Sequence, residues 1–249
     1  MSKYLKKLIT IIYEDDDMVV VNKPATVLSI PDRFDSDIPN VYHILQRGFG
    51  LEVYPVHRLD KGTSGVLCFA KNKEAHSHIC KQFEERSTIK KYFALVVGNT
   101  IPQNGIIDNR IGPDNNKAGK MKIDPDGKEA FTEYEVIENL DKYVALSVQI
   151  KTGRTHQIRV HLSHIGHPLA IDPLYGNPSG IFLSSFKSHY NQSKSRTERP
   201  VMDRLTLHAK KLIVTHPKTK EKVEFESELP KDFAVLIKLL KKYGKMSVS

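Results

Sequence analysis

One short segment of the sequence places an acid among residues that could hold it in a fixed turn. Residues 57–65 read His-Arg-Leu-Asp-Lys-Gly-Thr-Ser-Gly, and the apolar run 66–70 follows directly. Gly62 and Gly65 permit tight turns, and the hydroxyl residues between them can bond to nearby backbone. An aspartate on such a turn, Asp60, would be fixed in direction and partly shielded from water by the apolar strand. That environment suits a carboxylate that acts as a nucleophile or a base.

The same pattern also has a purely structural interpretation, which the local sequence leaves open. Asp60 would then cap the turn and pair with Arg58 or Lys61, as short acidic side chains often do in loops. Only residues elsewhere in the chain can decide between a catalytic and a structural aspartate.

A second segment concentrates hydrogen-bond donors on a predicted helix. Thr155 is placed to cap this helix, which would run to about Ile165 and end at Gly166. The donors that would suit a phosphate or a buried carboxylate are Arg154, His156, Gln157, Arg159 and His161. Two of them, His156 and Arg159, lie one helical turn apart and would therefore share a face.

Two other interpretations of this second segment compete with anion binding. A zinc site would use His156, His161, His164 and His167, but their spacings match no standard ligand pattern. We therefore expect no metal. The other alternative is a solvated, charged helix face, which the segment alone does not exclude.

A third segment, residues 90–98, places two lysines directly before an aromatic and apolar strand. Tyr92 in this position could set its ring against a nucleobase, because base–aromatic stacking contributes about 1–3 kcal/mol. The alternative is that Tyr92 belongs to the hydrophobic core, which is the commoner place for a tyrosine in an apolar strand.

Strand-like and helix-like patterns alternate irregularly around these segments. Buried strands are predicted where apolar, β-branched or aromatic residues run between turn residues, at 18–21, 66–70, 92–97 and 143–150. An amphipathic helix is predicted over 72–86, with Asn72 as its N-cap, and another one after Pro230. Because the strands outnumber the helices and rarely form βαβ units with them, the expected class is α+β.

The domain organisation predicted from the sequence is simple. No linker divides the chain, so we expect a single domain over 1–249, with its core at about 10–240. Residues 177–200 are rich in Ser, Asn, Lys and Arg and predict a long exposed loop. We expect a monomer.

Composition limits the partners and the compartment. The chain of 249 residues carries 38 Lys+Arg against 29 Asp+Glu, and its net charge of +9 favours polyanionic partners such as nucleic acid. Its longest apolar run falls far short of the roughly 20 residues that a membrane-spanning helix needs. The two cysteines imply no disulfide framework, and the start of the chain has no secretory pattern. The cytoplasm is therefore the expected compartment, without a membrane partner.

Taken together and in order, these segments resemble the RluA-type family of RNA pseudouridine synthases. Residues 57–60 with 63–65 are similar to that family's catalytic motif, and residues 153–161 resemble its second signature. The segments that match, from first to last, are 13–16, 21–24, 57–65, 153–161, 166–168, 174–176, 207–209, 216–217 and 229–230. The resemblance therefore spans roughly residues 10–240, nearly the whole chain.

This resemblance implies a fold and a role for each candidate residue. The fold would be a mixed, mostly antiparallel central sheet flanked by helices, with an RNA-binding cleft across its middle. Asp60 would be the catalytic aspartate, Arg159 its ionic partner, and Tyr92 the aromatic residue on the target base. Arg58 would occupy the space that a flipped base leaves. The other residues expected to bind RNA are His57, Arg154 and His156.

The function implied by the resemblance is isomerisation of uridines in ribosomal or transfer RNA to pseudouridine. Uracil never leaves the site during this reaction, so no cofactor is expected, and we expect no separate N-terminal RNA-binding module. One rival is a catalytically idle RNA-binding protein on the same fold, whose mark would be a replaced aspartate; Asp60 is intact. The other rival is a phosphate-ester hydrolase, which would need more carboxylates for Mg²⁺ than Asp60 and Asp172 provide.

Overall fold

A computed structural model describes residues 7–32, 35, 37–98, 101–190 and 197–244. Within them the chain forms two compact units. Unit 1 takes the described residues of Met1–Tyr92, Gln149–Lys151 and His208–Glu228, and unit 2 those of Phe93–Val148, Thr152–Leu207 and Leu229–Ser249. The expectation of one domain over the whole chain stays a prediction.

The described residues form twelve strands and four α-helices. The strands are β1 (Thr10–Glu14), β2 (Met18–Lys23), β3 (Tyr54–Pro55), β4 (Ser64–Ala70), β5 (Ile89–Val97), β6 (Asn104–Asp108), β7 (Ile111–Pro113), β8 (Met121–Ile123), β9 (Phe131–Leu140), β10 (Tyr143–Ile150), β11 (Leu207–Thr215) and β12 (Lys222–Glu226). The helices are α1 (Val41–His43), which continues as a π-helical turn over Ile44–Phe49, α2 (Lys73–Glu84), α3 (Gln157–His164) and α4 (Lys231–Tyr243). None of these helices is long and apolar enough to cross a bilayer.

The strands of unit 1 pair in the order β1-β2-β4-β11, with β3 added to β4 and β12 to β11. The β4–β11 pair is parallel, whereas the β1–β2, β2–β4, β3–β4 and β11–β12 pairs are antiparallel. Every residue of β4 is buried, which explains why its sequence is one continuous apolar run rather than an alternating one. The predicted strands at 18–21 and 66–70 are therefore confirmed.

In unit 2 the strand order is β5-β10-β9-β6, and β7 pairs with β8 in a separate two-stranded sheet. The predicted strand at 143–150 matches β10, and the one at 92–97 is the second part of the longer β5. Pairs β6–β9 and β7–β8 are antiparallel. Across the two units the strand pairing is thus mixed and mostly antiparallel, and the expected α+β class is confirmed.

The two longest helices begin where the sequence predicts them. The Asn72 side chain accepts the backbone N–H of Ala75 at 2.8 Å, so it caps α2 as expected. Helix α4 follows Pro230 and buries Phe233, Leu236 and Leu240 in the core of unit 2. In each helix the apolar stripe faces a sheet and the charged face lies in solvent.

The segment 177–200 is exposed only in part. Ile181 and Phe186 are buried in the core of unit 2, and Ile181 pairs with Met202 as an isolated antiparallel bridge. These two apolar side chains anchor a segment whose overall composition is polar. Residues 191–196 lie outside the described residues.

Lys90 on β5 is a charged side chain that unit 1 keeps away from water. It is only 6% exposed. Its Nζ lies 5.5 Å from the centre of the Phe83 ring and donates to the Lys151 carbonyl oxygen at 3.4 Å. Burial, helped by the positive charge of Arg86, lowers the pKa of the Lys90 ammonium from 10.5 to about 8. Protonation of this amine therefore destabilises the folded state relative to the unfolded chain.

Replacement of Lys90 by methionine should stabilise the protein at neutral pH. The unfolded chain binds more protons than the folded one between pH 8 and 10.5, so wild-type stability rises with pH through this window. Lys90→Met should raise the free energy of unfolding at pH 7 by about 1–3 kcal/mol, and the gain should vanish as the pH approaches 10.5.

Denaturant titrations at several pH values between 7 and 10.5 measure this difference. The control is Lys91→Met on the same strand, because Lys91 is exposed and its side chain points to the other face. We expect the control to change the free energy of unfolding by less than about 0.5 kcal/mol at every pH. A Lys90→Met gain that is the same at all pH values would contradict a buried ammonium.

Candidate active site

Asp60 lies on the loop between β3 and β4, and the residue before it is fixed by its backbone. The hydroxyl of Ser29 accepts the N–H of Leu59 at 2.9 Å and donates to the carbonyl oxygen of the same residue at 3.0 Å. The Leu59 side chain is buried in the core of unit 1. Both the main chain and the side chain next to Asp60 are thereby held in place.

The turn after Asp60 depends on the two glycines that the sequence singled out. The N–H of Thr63 donates to the Asp60 carbonyl oxygen at 3.1 Å, and Gly62 has a φ of +89°. Gly65 has a φ of +115°, and a Cβ there would lie 2.1 Å from the carbonyl oxygen of Ala209. The turn is closed through the backbone of Asp60, so its carboxylate is not needed as the acceptor of this hydrogen bond.

Tyr92 lies on β5 in the same unit as Asp60. Its half-buried side chain packs against the cluster that contains Leu59 and Leu67. Burial, together with the negative charge of Asp60, raises the pKa of the Tyr92 phenol. Tyr92 is therefore a neutral aromatic ring within electrostatic range of Asp60, and part of it also belongs to the core.

His57 and Arg58 begin the same loop but differ in environment. His57 Nε2 accepts the backbone N–H of Cys68 at 3.1 Å, and its ring stacks on Phe83 at 4.8 Å between centroids. Burial, with a smaller contribution from the charge of Lys90, lowers the pKa of His57 to about 3. His57 is therefore neutral and ties the loop to β4, whereas Arg58 is exposed.

The candidate residues of unit 2 surround the start of α3, and here one expectation is wrong. Thr155 does not cap this helix. The residue directly before the first helical residue is His156, which lies in the left-handed region with a φ of +56° and makes no capping hydrogen bond with its side chain. The side chain of Gln157 folds back instead. It accepts the N–H of Arg154 at 3.0 Å and donates to the carbonyl oxygen of Phe131 at 3.0 Å. The Gln157 side chain thus ties the start of α3 to the distant strand β9.

Arg159 makes a two-pronged ion pair with Asp172 inside unit 2. Its Nε and Nη2 donate to the two carboxylate oxygens, each at 2.7 Å. The side chain of Asp172 is 0% exposed and that of Arg159 is 4% exposed. Asp172 also accepts the backbone N–H groups of Leu174 and Tyr175. The sequence analysis did not predict this ion pair. The one feature of the sequence that indicates it is an aspartate, Asp172, at the start of a turn that ends at Gly176.

Tyr175 connects Arg159 to His156. Its ring centre lies 5.0 Å from the Arg159 guanidinium carbon. Its hydroxyl accepts the N–H of Met121 at 2.7 Å and lies 2.9 Å from Nδ1 of His156. His156 and Arg159 therefore contact the same neighbour, although His156 precedes α3 and does not share a helical face with Arg159. Arg154 makes a different contact, in which its Nε donates to the carbonyl oxygen of Glu129 at 2.8 Å.

The candidate residues divide between the two units. Unit 1 contains His57, Arg58, Asp60 and Tyr92, and unit 2 contains Arg154, His156 and Arg159. The expected pairing of Asp60 with Arg159 stays a prediction.

The hydrogen bonds of the histidines do not favour a zinc site in α3. His161 uses both ring nitrogens, Nδ1 with the Thr132 hydroxyl and Nε2 with the carbonyl oxygen of Asn109, each at 2.9 Å. Its burial also lowers the pKa of the ring. A metal would have to displace one of these two bonds.

Among the described residues, one group of possible ligands lies close together: Asp15, Asp17 and His216. Nδ1 of His216 accepts the N–H groups of Lys218 and Thr219, each at 3.2 Å. Its proton is therefore on Nε2, which donates to Asp15 at 2.6 Å. With both ring nitrogens used, this cluster fits a structural contact between two turns.

Comparison with known proteins identifies the family. A family model described as RNA pseudouridylate synthase matches residues 17–164. An uncharacterized RNA pseudouridine synthase of Bacillus subtilis is 36% identical over 247 residues, which cover 94% of this chain and 73% of that protein. Ribosomal large subunit pseudouridine synthase D of Pseudomonas aeruginosa is 36% identical over 241 residues, covering 93% of this chain and 71% of that protein.

Solved structures agree with the sequence relatives. Human RNA pseudouridylate synthase domain containing 4 has a TM-score of 0.72 at 27% identity and covers 96% of this chain. Human RNA pseudouridylate synthase domain containing 1 has a TM-score of 0.69 at 28% identity and covers 95%. These alignments cover 95% and 96% of the respective human chains. The chain therefore belongs to the RNA pseudouridylate synthase family and is an isomerase that acts on RNA.

Proposed function

We propose that this chain converts uridine to pseudouridine in large-subunit ribosomal RNA, with Asp60 as the catalytic carboxylate. The observation that supports this most is the turn that fixes Asp60 through its own backbone, in a chain of this family. The ribosomal substrate is inferred from relatives whose names specify the large ribosomal subunit. A transfer RNA substrate is the other outcome of the test. Location in the cytoplasm and a monomeric state stay predictions.

The reaction requires one ionised carboxylate and no external reagent. The N1–C1′ bond of uridine breaks, the base turns, and a C5–C1′ bond forms. The C5 proton is lost and N1 gains one, so the product is an isomer. Asp60 would either attack C1′ or remove the 2′-proton. We assign Arg159 as its ionic partner, because a nearby guanidinium favours the charged form of a carboxylate.

The target uridine must leave its stack, which costs a few kcal/mol. We assign Tyr92 to contact the flipped base, because its ring is neutral and lies within range of Asp60. Arg58 is exposed and would enter the space that the base leaves. Arg154 and His156 would contact the RNA next to the target. His57 would act through the loop rather than through a charge, since burial keeps it neutral.

Loss of the Asp60 carboxylate should abolish the reaction but preserve RNA binding. Transcripts of large-subunit ribosomal RNA and of transfer RNA, labelled with tritium at C5 of uridine, release tritium only when C5 loses its hydrogen. Wild type should release it from ribosomal RNA, whereas Asp60→Ala should release none. Filter binding should give the two proteins affinities within about threefold of each other, because phosphate contacts supply most of the affinity.

Asp126→Ala is the control for this experiment, since Asp126 is an exposed aspartate of unit 2. It should react at the wild-type rate. Turnover by Asp60→Ala would remove Asp60 from its assigned role. Tight binding without tritium release by wild type would favour an idle RNA-binding protein, and release from transfer RNA alone would correct the substrate.

Two substitutions of Tyr92 should distinguish the contribution of its ring to the reaction rate from that of its hydroxyl. Tyr92→Phe keeps the ring and should retain most of the tritium-release rate. Tyr92→Leu removes the stacking surface and should lose about 5- to 150-fold, the equivalent of about 1–3 kcal/mol. A complete loss in Tyr92→Phe would instead give the hydroxyl a chemical role.

A further inference from the structure

We infer that Asp172 and Tyr175 are positioning residues for Arg159, and that this pair sets the direction in which the guanidinium can meet a second anion. The inference rests on the proposed function, because it concerns the arginine assigned to Asp60. It adds two residues that touch neither the uridine nor the reacting atoms.

The geometry of the ion pair fixes the plane of the guanidinium. A guanidinium presents two edges that can each hold a carboxylate, a side edge of Nε and Nη2 and an end edge of Nη1 and Nη2. Asp172 takes the side edge, with both contacts at 2.7 Å. A second carboxylate or a phosphate would therefore meet Arg159 along its end edge.

Asp172 is itself held rigidly by a turn. Its Oδ1 accepts the N–H of Leu174 at 2.9 Å and that of Tyr175 at 3.1 Å. Its backbone carbonyl accepts the N–H of Gly176 at 3.1 Å, and its own N–H donates to Asn177 at 2.8 Å. The carboxylate is thus fixed before it meets Arg159, so little freedom is left to lose on pairing.

Tyr175 fixes the face of the guanidinium, as Asp172 fixes its edge. The ring centre lies 5.0 Å from the guanidinium carbon of Arg159. The Tyr175 hydroxyl is held by the Met121 N–H and by His156 Nδ1. Edge and face together define one orientation of the guanidinium. A misplacement of about 1 Å in a catalytic group can cost about 100-fold in rate.

The same chain offers a matched control in Arg204 and Asp232. Nε and Nη2 of Arg204 donate to the two oxygens of Asp232 at 2.5 and 2.8 Å, and its guanidinium carbon lies 4.9 Å from the centre of the Phe233 ring. This pair has the same edge-and-face arrangement and also belongs to unit 2. It differs in involving none of the candidate site residues and in the 35% exposure of the Asp232 side chain.

The test compares Asp172→Asn with Asp232→Asn in single-turnover tritium release from large-subunit ribosomal RNA. Asparagine at 172 keeps an acceptor for the turn but places an amide donor against one N–H of Arg159. We expect RNA affinity within about threefold of wild type and a reaction rate lower by about 100-fold. Asp232→Asn should react within about twofold of wild type, although its unfolding temperature also falls.

A merely structural role for Asp172 would lower stability in both variants and leave the single-turnover rate of folded protein unchanged. Equal rates for the two variants below their unfolding temperatures would therefore overturn the inference. If Asp172→Asn does not fold, Tyr175→Phe carries the test. It keeps the ring but loses the hydroxyl contacts, and we expect a rate lower by about fivefold at unchanged affinity. A rate equal to wild type would overturn the inference.

Asp60→Ala in the same assay separates the inference from the proposed function. If Asp60→Ala is inactive and Asp172→Asn reacts at the wild-type rate, the positioning role fails and the function stands. If Asp60→Ala reacts normally, the proposed function itself fails.

Discussion

The buried ion pair of Arg159 and Asp172 is the interaction on which the candidate site in unit 2 depends. A guanidinium that is 4% exposed would be strongly destabilising without a carboxylate beside it. Removal of either partner would leave the other buried and uncompensated. The pair also explains why an aromatic residue follows the aspartate, since the Tyr175 ring covers the face of the same guanidinium. Residues that look separate in the sequence form one connected structure.

In unit 1, the loop that carries Asp60 is held in place by a different kind of contact. The hydrogen bonds of this turn act on the backbone: Ser29 bonds to both polar groups of Leu59, and Thr63 closes the turn through the Asp60 carbonyl oxygen. Because Gly65 has no Cβ, strand β4 can approach the backbone of Ala209 on β11 closely. The main chain on both sides of Asp60 is thereby held in place.

The sequence predicted the elements whose signals are local. The predicted strands at 18–21 and 66–70 are continuous apolar runs because they are buried on both faces. The Asn72 cap depends on a single bond between its side chain and a nearby backbone N–H. The wrong prediction of a cap at Thr155 shows the limit, because the side-chain bonds at the start of this helix join Gln157 to a strand about 25 residues earlier. The partner of Arg159 was missed for the same reason: Asp172 lies beyond the end of the helix, where no helical spacing points to it. The burial of Lys90 likewise depends on Phe83 and Lys151, which no periodicity brings together.

The central claim is that this chain makes pseudouridine in RNA through the carboxylate of Asp60. Its most direct test is a map of pseudouridines in ribosomal and transfer RNA from cells that lack the protein, with wild type or Asp60→Ala restored in parallel. We expect one or a few missing sites in large-subunit ribosomal RNA that only wild type restores. Sites that Asp60→Ala restores equally well would contradict it.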